Sequence, residues 1–356
     1  MIDWRDASWR GRLKLVAFSL VPVVLLLVLA QVLAYVTINR TITMQTDSIT
    51  GQASYSMRIG HWPWSHRSYT PLNSLGLPDV EFTGLLPKGK CVHVVFAGDS
   101  FTFGDATDYD KRWTHLVATM TARRRPERCF RFFNIGVRNT TIDTTIVRIR
   151  QVLPLIQPDV VVFGQYQNDL TDLANPGSPA WVPAGSGRQH DSHWGTRIGR
   201  LVPGYNVSLL RIATYHVFAS MIKHNVRYDV LKTWSVLEGD SKREWAEKLK
   251  GIYRDLYRGL MEDLRAKDIE VAVLIFPSKM DVLAQRSPEE AFFTDLAREF
   301  KVPYFTVMPT LDANRAGMPF YVYDGHLNEF GNRVVARAVW GWLFSADPAP
   351  VHALRR

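Results

Sequence analysis

Cysteine is nearly absent: Cys91 and Cys129 are the only two in 356 residues. That excludes a disulfide-dense miniature fold and a cysteine-rich zinc module. Internal repeats and low-complexity tracts are also missing, and glycine and proline are scattered. These absences exclude solenoid, collagen-like and disordered architectures. Acidic residues are in deficit, 34 Asp and Glu against 43 Lys and Arg, so the formal net charge is +9. A basic balance suits nucleic acid, anionic lipid or acidic glycan alike. No nucleic-acid-binding module accompanies it, so nucleic acid is not expected as a partner. Long apolar runs are scarce, with one exception.

Residues 15–36 hold no charged side chain, and Ser19 and Gln31 are their only strongly polar ones. As a helix rising about 1.5 Å per residue, this run reaches roughly 33 Å, enough to cross ~30 Å of hydrocarbon. Pro22 falls where a bilayer helix tolerates a kink. Arg5, Arg10, Arg12 and Lys14 precede the run, whereas Arg40 is the sole basic residue soon after it. The bias puts the N-terminus in the cytoplasm and the rest of the chain outside. A cleaved signal peptide ending near Val32-Leu33-Ala34 is the alternative, and it too exports the bulk of the chain. The expected organisation is a cytoplasmic tail (1–14), a transmembrane helix (15–36), a stalk and lead-in segment (37–88), a main domain (89–346) and a C-terminal tail (347–356). The expected location is the inner or plasma membrane, single-pass, with the main domain periplasmic or extracellular.

From Val92 the texture becomes periodic. Short apolar runs at Val92–Ala97, Phe130–Ile135, Asp159–Phe163, Glu270–Phe276 and Val302–Val307 read as strands. The third is rich in valine, as a strand covered on both faces should be. Helical periods separate them at about 112–124, 142–153 and 242–266, and a last helix spans 328–344 with Asn328 placed as its cap. Strands alternating with helices predict an α/β domain with a five-stranded parallel, doubly wound sheet between two helical layers. Residues 175–235 break the rhythm and read as an insertion.

In such sheets functional groups gather at the carboxyl ends of the strands. Ser100 follows the first run, Gly136 the second, and Asn168 and Asp169 the third; Asp324 and His326 precede the last helix. That set has the composition of an acyl-transfer site. A serine hydroxyl needs a base, usually an imidazole, and the imidazole benefits from a carboxylate that fixes its tautomer. The backbone N–H groups of Ser100 and Gly136 with the Asn168 amide would supply oxyanion donors. Asp99 and Asp169 read as loop-shaping residues. His61/His66 and His190/His193 lack a third ligand or a helix to present them, so no metal is assigned. Arg123, Arg124, Arg125 and Arg128 read as a solvated helix end, with a glycan- or lipid-facing patch as the alternative. Trp340, Trp342 and Phe344 read as core.

The sequence resembles the SGNH (GDSL-like) hydrolase superfamily over about residues 90–345. Gly98-Asp99-Ser100-Phe101-Thr102-Phe103-Gly104 is similar to its nucleophile block, Asn134-Ile135-Gly136 to its glycine block, Asn168-Asp169 to its asparagine block and Asp324-Gly325-His326-Leu327-Asn328 to its terminal block. The resemblance implies a flavodoxin-like three-layer fold and ester hydrolysis or acyl transfer without metal or organic cofactor. Asp324 stands two residues before His326, where the commoner spacing is three and would fall on Tyr323. The shorter spacing is similar to the branch of polysaccharide O-acetyltransferases and acetylesterases.

In that family's fold the first two strands are parallel neighbours. Cys91 and Cys129 each lie seven residues before the glycine of their block, so a disulfide between them is expected. The expected function is a membrane-anchored serine esterase removing short acyl groups from envelope or extracellular glycans: Ser100 as nucleophile, His326 as base and Asp324 as its orienting carboxylate. Alternatives are an O-acetyltransferase, a lysophospholipase or thioesterase, and a non-catalytic scaffold binding glycan or a partner.

Overall fold

A computed structural model describes residues 18–26, 28–29, 42–46, 53–57, 73–74, 77–82, 89–105, 107–137, 140–173, 243–321, 325–345 and 351–354. Strands β1 (Ile42–Thr46) and β2 (Ala53–Met57) form an antiparallel pair. The main sheet holds β3 (Val92–Ala97), β4 (Phe130–Asn134), β5 (Val160–Tyr166), β6 (Glu270–Phe276) and β7 (Tyr304–Thr306) in the order β4-β3-β5-β6-β7. Every pairing in it is parallel. This is the doubly wound, flavodoxin-like order, with its switch point between β3 and β5.

Alternation along the strands builds the layers. Val95, Ala97, Phe133, Val161, Phe163, Val273 and Ile275 face one core. Helices α3 (Ile142–Ile156), α5 (Arg243–Arg265) and α7 (Pro288–Glu299) cover it. Val94, Phe96, Val160, Val162, Leu274 and Phe276 face the opposite core, under α2 (Trp113–Arg124), α8 (Met308–Ala313) and α9 (Glu329–Ser345). On α5 the buried Tyr253, Tyr257, Leu260, Met261 and Leu264 fall on one helical stripe, and charged residues such as Arg254 and Arg258 take the other side. Those exposed ion pairs contribute little to stability.

Three short helices stand at the carboxyl edge: α1 (Ser100–Phe103) after β3, α4 (Asn168–Leu173) after β5 and α6 (Lys279–Ala284) after β6. The expected cap on α9 is present, Asn328 Oδ1 accepting from Gly331 N–H at 2.9 Å. At the opposite edge Cys91 and Cys129 are joined by a disulfide, with Cα atoms 4.5 Å apart. They immediately precede Val92 and Phe130, which are register partners.

The basic cluster is less solvated than its composition suggests. The Arg124 guanidinium lies 4.5 Å above the Trp340 ring, and Arg125 donates to the Phe344 carbonyl at 2.8 Å. Arg128 covers the Phe130 ring and donates to the Leu354 carbonyl. These cations serve the carbonyl end of α9 and the turn after it, where positive charge is favourable. Residues 351–354 are docked by the Glu270 carboxylate, which accepts from the N–H groups of His352 and Ala353.

Among the described residues no helix is long and apolar enough to cross a membrane. The 15–36 segment is described only at 18–26 and 28–29, which are helical with exposed apolar side chains such as Phe18 and Leu26. The 175–235 insertion, His61, His66, His190 and His193 lie outside the described residues.

Candidate active site

The chain leaves β3 through Gly98, whose φ of +153° and crowded surroundings leave no room for a side chain: an added Cβ would lie 2.4 Å from Thr102 Oγ1 and 2.7 Å from the Gly164 carbonyl. Asp99 then caps α1, its Oδ1 accepting from Phe101 N–H at 3.0 Å. Ser100 is thereby the first residue of that helix, where a backbone N–H has no intrahelical acceptor. Asp99 Oδ2 is also 3.5 Å from Ser100 Oγ, at the outer limit of a hydrogen bond. Asp169 accepts from Tyr166 N–H at 3.1 Å and shapes the turn between β5 and α4.

Ser100 Oγ lies 2.8 Å from His326 Nε2, across 226 positions of sequence. The His326 loop is pinned on several sides. Phe320 and Leu327 form an isolated antiparallel bridge, Tyr321 N–H donates to the His326 carbonyl at 3.1 Å, and Lys279 Nζ donates to the Tyr321 carbonyl at 3.0 Å. From α9, buried Asn332 donates to the Leu327 carbonyl and accepts from Trp113 N–H. The Phe101 ring sits 5.3 Å from the imidazole and stacks at 4.2 Å on Tyr166. A crevice of about 10 Å³, near the size of one water, lies here between Ser100, Phe101, Asp105, His326, Leu327 and Asn332. Asp324 lies outside the described residues, and of Asn168 only the backbone, as the first residue of α4, is described.

Gly136 follows β4 and packs against the serine turn. In the structure a Cβ would lie 2.4 Å from Phe103 N and 2.8 Å from Thr102 C, so it is the backbone of α1 that demands glycine. Gly136 N–H also has a local partner, Asn134 Oδ1 at 2.9 Å. The Asn134 side chain further donates to the Thr102 carbonyl at 2.8 Å and to Thr114 Oγ1 at 3.1 Å. One amide thus ties the glycine loop to the serine turn.

Behind Asn134 stands Asp79, a residue whose Leu77-Pro78-Asp79 context reads only as a turn. Its Oδ2 accepts from Asn134 N–H at 2.7 Å, and its Oδ1 accepts from the Tyr109 hydroxyl and Val80 N–H, each at 2.8 Å. Burial pushes its carboxyl up to about 6, although these donors and the Arg112 charge favour the ionised form. Arg112 is fully buried and donates to the Thr107 and Pro78 carbonyls. Nothing periodic marks Asp79 or Arg112, and each also bonds a residue 30 or more positions away.

No protein-family model matches the chain, and no curated protein matches it. Solved structures similar to it include an alpha/beta hydrolase enzyme from the metagenome of Lake Arreo, Spain, at 14% identity and TM-score 0.41 over 70% of this chain and 93% of that one. A two-domain esterase active on acetylated mannans shares 14% identity at TM-score 0.42, over 70% of this chain and 48% of that one. A catalytic mutant of an acetylxylan esterase from Geobacillus stearothermophilus shares 12% identity at TM-score 0.41, over 70% and 92%. At identities and TM-scores this low, these likenesses carry no substrate or mechanism over to this chain.

Proposed function

We propose that the chain is a serine ester hydrolase acting on short acyl esters. The observation that carries this reading is the 2.8 Å contact between Ser100 Oγ and His326 Nε2 at the carboxyl edge of a parallel sheet. In the reaction Ser100 Oγ attacks the acyl carbon while His326 Nε2 takes the hydroxyl proton. The oxyanion accepts from Ser100 N–H at the start of α1, from Gly136 N–H and from the Asn168 amide. Gly136 N–H shares its hydrogen between Asn134 Oδ1 and the oxyanion. His326 then protonates the leaving alcohol, and water attacks the acyl-serine by the reverse sequence. Asp324 is assigned the orienting role toward His326 on its place in the sequence.

The same reading anchors the enzyme through residues 15–36, with the N-terminus cytoplasmic and the esterase outside the inner or plasma membrane. The helical, outward-facing apolar residues of 18–26 support it, and the Cys91–Cys129 disulfide suits an oxidising compartment. Acylated glycans of the envelope or exterior are the proposed substrates, on the strength of that location and the Asp-x-His spacing. The test is hydrolysis of p-nitrophenyl acetate by the purified chain and by Ser100→Ala. The expected loss in kcat is about 10⁶-fold. Equal rates refute the mechanism. Acceleration by added glycan, with acylated glycan as product, moves the assignment to an acyltransferase using the same residues.

A further inference from the structure

Among the buried carboxylates that the reaction as described does not use is Asp79. Asp79 is 6% exposed, precedes the main sheet in sequence, and spends one oxygen on the backbone N–H of Asn134, 55 positions away. We propose that Asp79 is a positioning residue for the ester hydrolysis, holding the Gly136 loop in register with the serine turn through Asn134. The proposal rests on the esterase reading and deepens it.

The chain of contacts is short and each link is directional. Asp79 Oδ2 fixes the peptide N–H of Asn134 at the end of β4. The Asn134 side chain then reaches two loops at once, its Oδ1 on Gly136 N–H and its Nδ2 on the Thr102 carbonyl. Thr102 belongs to α1, the helix that begins at Ser100. Two neighbouring bonds lock the frame, Ile135 N–H to the Phe96 carbonyl and Val137 N–H to the Gly98 carbonyl. A rotation of the Asn134 peptide therefore swings the Gly136 donor relative to the nucleophile, and Asp79 is the side chain that resists it. Asp79 is held in turn from two sides. Val80 N–H and the Tyr109 hydroxyl donate to its other oxygen, and Arg112 supplies positive charge nearby. Among the described residues the hydrogen bonds of Asp79 reach Asn134, Tyr109 and Val80 and not Ser100 or His326, so its influence passes through Asn134.

The experiment uses the full chain and four variants: Asp79→Ala, Asp79→Asn, Asn134→Ser and the double variant Asp79→Ala with Asn134→Ser. Kinetics on p-nitrophenyl acetate, thermal melts and amide exchange at Gly136 are measured together. Asp79→Ala is expected to lower kcat about 10- to 100-fold, the range of a roughly ångström-scale misplacement, with KM within about twofold of the parent. Asp79→Asn keeps a carbonyl oxygen for the Asn134 N–H and is expected to recover most of the rate. Because Asp79 acts through Asn134, the double variant is expected to be no slower than Asn134→Ser alone. Gly136 exchange is expected to quicken at least about tenfold in Asp79→Ala while β5 amides stay protected. A folded Asp79→Ala enzyme with unchanged kcat, an additive double variant, or unchanged Gly136 exchange overturns the proposal. If Asp79→Ala does not fold, the same cycle runs with Asp79→Leu, which keeps the side-chain bulk and offers no acceptor to the Asn134 N–H. An inert parent, or a Ser100→Ala variant as active as the parent, sinks the esterase reading instead. A failure confined to the Asp79 variants sinks only the positioning role.

Discussion

Gly136→Ala probes the packing of the candidate site at its tightest point. The new methyl carbon would lie 2.4 Å from Phe103 N, 2.8 Å from Thr102 C and 3.0 Å from Phe103 Cα, all backbone atoms of α1. Ordinary contact begins near 3.4 Å, so the glycine loop and the serine turn must separate by about 1 Å. No side-chain rotation can absorb that shift. Forced overpacking of this kind costs about 1–3 kcal/mol of stability. The rate falls further, because the move carries Gly136 N–H away from the oxyanion. A misplacement of about 1 Å costs roughly 10²-fold, and complete loss of one donor about 10²–10³-fold. The assay is kcat on p-nitrophenyl acetate beside a thermal melt. Gly251→Ala in α5 is the control, since a Cβ there meets nothing within 4 Å; it should leave kcat alone and stabilise by up to about 1 kcal/mol. A Gly136→Ala protein with parental kcat and melting temperature would refute the reasoning.

Burial pushes the Asp281 carboxyl from its usual 3.8 up to about 7, with the Glu289 charge adding to the effect. The folded state holds this proton more tightly than the unfolded chain, so the stabilisation is complete below about pH 4 and is lost as pH rises toward 7. Relative to Asp281→Asn, the parent should lose up to about 4 kcal/mol across that window in denaturant titrations; a pH-independent difference would contradict the burial argument. The Cys91–Cys129 bridge spans 38 positions, and chain-entropy arguments give it about 4 kcal/mol. Paired serine substitutions should lower the unfolding midpoint accordingly, and reductant should then have no further effect. Arg125→Ala removes the donor to the Phe344 carbonyl and should cost about 1 kcal/mol in the same titrations.

The sheet could be read from the sequence because buried parallel strands write themselves as short apolar runs. β3 and β6 begin and end where those runs do. β7 is shorter than its run, Tyr304–Thr306 instead of Val302–Val307, because it pairs only with β6 and Pro303 has no N–H to give. Helix α3 runs on past 153 to Ile156 through Pro154 in its last turn, because buried Ile156 continues the face of Ile149, Val152 and Leu153. Helix α7 has no counterpart among the helical periods of the sequence, although Ser287-Pro288-Glu289-Glu290 carries a cap, a first-turn proline and early acids. The strand-end rule points to Ser100 and His326 because topology alone gathers those positions. It has no view of Asp79 or Arg112, which lie at no strand end and whose partners include residues 30 or more positions away: Tyr109 and Asn134 for Asp79, Pro78 for Arg112. Likewise Arg123, Arg124, Arg125 and Arg128 read as a solvated helix end, yet Arg124 lies over the Trp340 ring and Arg125 and Arg128 donate to the Phe344 and Leu354 carbonyls.

The central claim is that His326 activates Ser100. Incubation with a fluorophosphonate, followed by peptide mass spectrometry, tests it most directly. The account predicts a single adduct on Ser100 in the parent chain, and labelling slowed by orders of magnitude in His326→Ala while that variant stays folded. An unmodified Ser100, or equal labelling with and without the imidazole, would contradict it.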